Sequence, residues 1–141
     1  YGKAIPAFHY MIALAGGDDI KCSEYGTFGT KELSKNILNA LEKRKACLMS
    51  NHGQVAIGQN LNQAFELAEE VENICHQYVI ALKLGQPKIL SFSEMQKILE
   101  KIKNYKREDY PTHRILLKHF RHDLNIACEE SRFKILFHEV L

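Results

Sequence analysis

The chain has 141 residues, which is enough for one domain with a hydrophobic core. Its formal net charge is only +2, which does not favour nucleic acid or a membrane surface as a partner. No run of about 18 apolar residues predicts a membrane-spanning helix, and the first residues lack the pattern of a secretory signal.

The cysteines and the first residues give two further expectations. The four cysteines are scattered among apolar residues without a CxxC pair, so we expect reduced thiols in a cytoplasmic protein; they are Cys22, Cys47, Cys75 and Cys128. The sequence opens at Tyr1, and its first methionine is Met11, inside an apolar run. This beginning predicts a piece of a longer protein.

Two strands are predicted first. Residues 4–15 are almost entirely apolar, and the length of this run does not separate a strand from a helix. Pro6 disfavours helix at the residue before it, so the coarse prediction is a strand. A turn at 16–19 ends this run, and a second short strand follows at 20–25.

A helix is predicted after Thr30, which can act as its N-cap. Four apolar residues recur on one helical face: Leu33, Ile37, Leu38 and Leu41. The basic residues 43–45 are expected to close this helix, because cations favour its C-terminal carbonyls.

A hairpin and two helices complete the predicted elements. Apolar residues 46–49 and 55–57 flank a polar turn, which predicts an antiparallel pair. Asn60 can cap a helix over 61–84, and Ser91 with Glu94 forms a capping box for a helix ending near Tyr105. The apolar stripe of the first helix comprises Ala64, Ala68, Val71, Cys75, Tyr78 and Leu82.

The order of elements predicts an α/β layered domain with a substantially antiparallel sheet. We expect this domain to cover residues 1–105. Residues 106–141 differ in character and predict a weakly amphipathic helix with an undefined end.

His52 is the best single candidate for chemistry. It lies in a turn at a strand end, where an imidazole can bind zinc or transfer protons. By spacing alone, an exposed turn histidine without function is the more frequent case, because one histidine does not make a metal site.

His9 and Tyr10 interrupt the first apolar run, and a polar pair in such a segment needs hydrogen-bond partners. Tyr10 could donate a proton to a developing charge, although a strand with a half-exposed face is the more frequent explanation of such a pair.

Other polar features favour structural roles. The glycines at 16–17 and the segment 25–30 match no phosphate-binding pattern and indicate turns. His76 lies in the middle of a predicted helix beside Cys75 and cannot share a metal with it. The tail histidines fit a surface; they are His113, His119 and His122.

Three segments in register resemble the class II aldolase/adducin family, most of all L-fuculose-phosphate aldolases. They are Ile-Pro-Ala-Phe-His-Tyr-Met at 5–11 before the glycine pair, Tyr-Gly-Thr-Phe-Gly-Thr at 25–30, and Asn-His-Gly at 51–53. The resemblance covers about residues 4–105. Many relatives carry His-His-Gly where this chain has Asn51.

The resemblance implies a three-layer α/β/α sandwich with a mainly antiparallel central sheet, incomplete at the N-terminus, in a homotetramer. It implies a zinc ion held by three histidines, of which His52 matches the third. Tyr10 matches a catalytic tyrosine that assists proton transfer, and Tyr105 resembles a second tyrosine that closes over the phosphorylated sugar substrate.

The implied reaction is retro-aldol cleavage to dihydroxyacetone phosphate and an aldehyde, with zinc as Lewis acid. The family's other two zinc histidines and its glutamate precede the matching segment and are absent from this sequence, so we expect this chain alone to be inactive. A pentulose-phosphate 4-epimerase, a sugar-phosphate dehydratase and a non-catalytic adducin-head-like module remain open.

Overall fold

The computed structural model of the chain describes residues 2–104. Three predictions lie outside the described residues: the tail helix over 106–141, the domain boundary before it, and the site residue Tyr105. Within residues 2–104, no helix combines the length and the apolar content that crossing a bilayer demands.

The first apolar run is not the predicted strand. Only β1 (Ile5–Pro6) is extended, and it pairs antiparallel with β2 (Asp19–Ile20). A 3-10 helix, Tyr10–Ala15, follows β1 and ends at Gly16, whose φ of 93° lies in the left-handed region. The strand prediction was wrong beyond Pro6 because a run that is apolar at nearly every position carries no clear period to separate strand from helix.

A second, three-stranded sheet contains the predicted hairpin. Its strands are β3 (Cys22–Ser23), β4 (Ala46–Met49) and β5 (Gly53–Ala56), in the order β3-β4-β5. The β4–β5 pair is antiparallel, which confirms the hairpin, whereas β3 and β4 are parallel because a helix crosses over between them. The predicted strand over 20–25 was wrong as one element, since Lys21 divides it between two sheets.

These elements confirm the α/β class. Among the pairings that the structure describes, two are antiparallel and one is parallel, so the sheets are small and mixed. The layered sandwich and a mainly antiparallel central sheet stay predictions.

The first helix, α1 (Lys31–Ala40), begins as predicted. The Thr30 hydroxyl accepts a hydrogen bond from the Leu33 amide at 3.2 Å. Leu33 and Ala40 are buried, but Leu38 is 69% exposed, so its predicted place on the apolar face was wrong. The α-helical residues end before the basic segment 43–45, which therefore does not close the helix.

Arg44 instead holds the turn between the 3-10 helix and β2. Its Nη2 lies 2.7 Å from Asp19 Oδ1 and 3.1 Å from Asp18 Oδ1, while Nε donates to Asp19 Oδ1 at 3.0 Å. A Cβ at Gly17 would overlap the guanidinium, so glycine allows this close approach. The next amide, that of Lys45, donates to Ala15 O at 2.6 Å. These contacts join the first segment to the start of β4.

Two further helices cover the core. In α2 (Leu61–Leu84), the Asn60 side chain accepts from the Gln63 amide at 3.0 Å, and in α3 (Phe92–Asn104) the Glu94 amide donates to the Ser91 hydroxyl at 3.2 Å. Both predicted N-termini are confirmed. The central cluster of buried residues contains Ile5, Ala7, Ile12, Ala13, Ala15, Ile20, Ala46, Leu67, Val71, Ile74 and Met95.

The predicted stripe of α2 is confirmed as far as Tyr78. Ala64, Ala68 and Val71 are buried, Cys75 and Tyr78 are partly buried against the central cluster, and Leu82 is exposed. Leu67 and Ile74 are buried without having been predicted, because the helix packs against several elements over a wider face than one narrow stripe.

Replacement of Ile74 by alanine should lower the free energy of unfolding by about 2–5 kcal/mol, since this side chain is 1% exposed and its loss leaves a cavity. The matched control is Ile80→Ala on the same helix, where the residue is 44% exposed and a change below about 1 kcal/mol is expected. Urea denaturation of the chain measures both; equal losses would contradict the assigned core face.

Replacement of Arg44 by methionine should destabilise the chain by about 1–3 kcal/mol, because two aspartates lose hydrogen bonds to a guanidinium. Lys35→Met, at an exposed position of α1, should change stability by less than about 0.5 kcal/mol. Thermal unfolding compares the two variants, and an unchanged midpoint for Arg44→Met would show that the ion pairs contribute nothing.

Candidate functional site

His52 lies in the loop of the β4–β5 hairpin and is exposed. Its amide donates to Met49 O at 3.1 Å, and the strands resume with the pair Met49 and Gly53. Among residues 2–104, its imidazole has no hydrogen-bond or ion-pair partner. The backbone on both sides of the loop that carries the ring is fixed by the pairing of β4 with β5.

The residue before His52 explains how the loop turns so tightly. Asn51 has φ 57°, in the left-handed region, which asparagine enters more readily than most residues with a side chain. Asparagine at position 51 therefore suits the backbone conformation of this turn. Histidine is also enriched at such φ values, so either residue suits this turn.

A zinc ion does not fit the described residues alone. In the part of the chain that the structure describes, no group of three histidine, cysteine, aspartate or glutamate side chains is placed to hold a metal. A catalytic zinc needs three protein ligands and an open position. His52 can supply one ligand, and the described residues do not complete the site.

Tyr10 is the first residue of the 3-10 helix, and its side chain is 49% exposed. The preceding His9 is the N-cap: its Nδ1 accepts from the Met11 amide at 3.2 Å. The predicted need of this polar pair for hydrogen bonds is met at His9. Burial lowers the pKa of His9 below its ordinary 6.5, and an accepting Nδ1 must be unprotonated.

The structure places Tyr10 and His52 on different elements. The 3-10 helix packs against α2, α3 and β2, and its last residue, Ala15, accepts a hydrogen bond from Lys45, just before β4. His52 lies beyond the other end of β4. No hydrogen bond or ring contact joins Tyr10 to His52 among the described residues. The third predicted site residue, Tyr105, lies outside them.

The remaining candidates that fall within residues 2–104 lie in turns, at a helix cap or on a helix surface. Gly26 packs against the backbone of Leu33, and Thr30 caps α1, as turn chemistry predicts. His76 is exposed on α2. The histidines of the tail lie outside the described residues.

A cavity that was not predicted from the sequence opens between β3 and α1. Its volume is about 280 Å³, and it is lined by Ala4, Lys21, Cys22, Ser23, Glu24, Asn36, Asn39 and Ala40. Cys22 Sγ lies 3.4 Å from Ser50 Oγ, so its thiol is engaged. Lining residues 21–24 are consecutive, and residues 36, 39 and 40 lie on one face of α1, but only the fold brings these two groups together.

Comparison with known proteins extends this description. Residues 1–79 match the family described as Class II Aldolase and Adducin N-terminal domain. A 5-methylthioribulose-1-phosphate/5-deoxyribulose-1-phosphate aldolase of Rhodospirillum rubrum is 52% identical over 104 residues, which cover 74% of this chain and 47% of that protein. An L-fuculose phosphate aldolase of Escherichia coli K12 is 47% identical over 104 residues, covering 73% and 48%.

A solved structure agrees with these matches. An L-fuculose 1-phosphate aldolase superposes with a TM-score of 0.70 at 46% identity, over 72% of this chain and 48% of that chain. This chain spans about half the length of the relatives that it matches.

Acidification should destabilise the chain through His9. Because burial lowers its folded pKa, the unfolded chain binds the proton more readily. The stability that neutral His9 contributes is complete above its pKa in the unfolded chain, about 6.5. It is lost as the pH falls through the lower pKa of His9 in the folded chain. Between about pH 7.5 and pH 5, the free energy of unfolding should depend less on pH in His9→Asn, which can still cap the helix, than in the unchanged chain. The exposed control His76→Asn should show the same pH dependence as the unchanged chain. An unchanged slope in His9→Asn would contradict this assignment.

Proposed function

Since this chain belongs to the class II aldolase and adducin family, we propose that it forms part of an enzyme that cleaves a ketose 1-phosphate by a retro-aldol reaction. The observation that carries this proposal is the family match over residues 1–79, which include both Tyr10 and His52, together with the sequence identity to aldolases. The relatives named above are aldolases, which favours this activity over the epimerase, dehydratase and adducin-like alternatives.

The proposed substrate class is broader than fuculose phosphate. The names of the relatives include L-fuculose phosphate, 5-deoxyribulose 1-phosphate and 5-methylthioribulose 1-phosphate. A retro-aldol cleavage of each ketose 1-phosphate releases dihydroxyacetone phosphate. The substrates differ in the aldehyde half, so the part of the site that contacts the aldehyde must distinguish them.

The roles of the chain's own residues follow from exposure and chemistry. In the cleavage direction, the C3–C4 bond breaks, the C4 hydroxyl loses its proton to become an aldehyde, and C3 gains one. Tyr10, with its phenol half-exposed, is proposed to exchange a proton at the aldehyde oxygen. His52 is proposed as one zinc ligand. The other metal ligands and the acid/base glutamate must come from residues other than those described.

Several finer features belong to the same proposal and are supported by the family resemblance. They are the three-layer sandwich, the homotetramer, a cytoplasmic location, a second catalytic role for Tyr105, and the division into an aldolase-like part at 1–105 and a divergent tail at 106–141. The relatives match over 104 residues of this chain, about the length of the proposed aldolase-like part.

A chimera tests the function directly. Residues 2–104 of this chain replace the matching half of the Escherichia coli L-fuculose phosphate aldolase, which supplies the rest of the site. Release of dihydroxyacetone phosphate is measured with L-fuculose 1-phosphate, 5-deoxyribulose 1-phosphate and 5-methylthioribulose 1-phosphate. We expect cleavage of at least one of them. A folded chimera that converts these sugars only to epimers, or not at all, would overturn the proposal.

His52→Ala in this chimera should lower kcat/KM by at least about 100-fold and reduce bound zinc, because a ligand is lost. His76→Ala replaces an exposed histidine on α2 and should leave kcat/KM within about twofold. Activity assays and metal analysis of both variants provide the comparison. Equal activity in the two variants would exclude His52 from the metal site.

A further inference from the structure

Four rings form a continuous row that ends at Tyr10. Tyr78 on α2 lies with its ring centroid 5.0 Å from that of Phe8, at an interplanar angle of 44°. Phe8 lies 6.1 Å from His9, and His9 is stacked on Tyr10 at 4.9 Å and 25°. These separations fall in the range in which aromatic pairs attract one another.

The row begins in the core and ends in solvent. Phe8 and Tyr78 are partly buried and pack against the central cluster, whereas Tyr10 is about half exposed. Within residues 2–104, the Tyr10 hydroxyl has no hydrogen-bond partner. Among the same residues, the ring contact recorded for Tyr10 is its stacking with His9.

His9 acts on Tyr10 in two ways at once. Its Nδ1 accepts from the Met11 amide, which fixes the first turn of the 3-10 helix where Tyr10 begins. Its ring covers one face of the phenol. Capping fixes the backbone of Tyr10, and stacking restricts its side chain, whose free rotation would otherwise lower the population of any productive orientation.

We propose that His9 is a positioning residue for Tyr10, anchored to α2 through Phe8 and Tyr78. This inference rests on the proposed function for its catalytic consequence, but the ring contact can be tested without activity. Two substitutions separate the two effects of His9. His9→Asn keeps a capping side chain and removes the ring, whereas His9→Phe keeps a ring and removes the acceptor.

The first experiment measures kinetics in the chimera described above. His9→Asn should lower kcat by about threefold to tenfold with little change in KM, as expected from the loss of one aromatic contact. In a Tyr10→Phe background, the same substitution should change kcat by less than about twofold, because the group that it positions is gone. An equal loss in both backgrounds would overturn the proposal.

The second experiment observes Tyr10 in the full chain labelled with 3-fluorotyrosine. The ¹⁹F resonance of Tyr10 is assigned by its absence in Tyr10→Phe. His9→Asn should move this resonance toward that of a solvent-exposed fluorotyrosine, His9→Phe should keep it shifted by the adjacent ring, and His76→Asn should leave it unchanged. A Tyr10 resonance that is the same in wild type and His9→Asn would overturn the proposal.

The two experiments also separate the two proposals. Circular dichroism establishes that each variant is folded before its resonance is read, and His9→Ser, which also keeps a capping side chain without a ring, provides the measurement if His9→Asn does not fold. An inactive chimera combined with the expected ¹⁹F shifts would contradict the proposed function while supporting the positioning of Tyr10 by His9.

Discussion

Strand β4 is the element on which the rest of the fold depends. It pairs with β3 on one side and with β5 on the other, and Ala46, Cys47 and Met49 are buried. The Arg44 ion pairs precede it, and the hairpin loop with His52 follows it. Because neighbouring strand residues point to opposite faces, burial of both Ala46 and Cys47 shows that both faces of β4 are covered, and its pairing of Met49 with Gly53 places His52 in the loop.

The parts of the fold that could be predicted depend on short-range chemistry. Thr30 and Asn60 accept hydrogen bonds from amides three residues ahead, so local sequence suffices to place their helices. The 3-10 helix and the division of the second strand at Lys21 depend on tertiary pairing instead. The ion pairs of Arg44 with Asp18 and Asp19 join residues about 25 positions apart, which no local pattern reveals.

The candidate site shows a different limit. His52 is an exposed histidine in a turn. Both a metal ligand and a surface residue without function can have this geometry, so the geometry alone does not separate them. The family resemblance over three segments favours the metal-ligand interpretation, which stays a proposal. Tyr10 was selected in the same way, but its stacking with His9 was not predicted, because a run taken as a strand places neighbouring side chains on opposite faces.

Replacement of zinc by ¹¹³Cd in the chimera, with histidines labelled with ¹⁵N, tests the central claim most directly. If His52 is a ligand, its imidazole shows a ¹⁵N–¹¹³Cd coupling that disappears in His52→Ala while His76→Ala keeps it. A cadmium-loaded, active chimera in which the His52 resonances carry no coupling would contradict the assignment of the hairpin histidine to the metal.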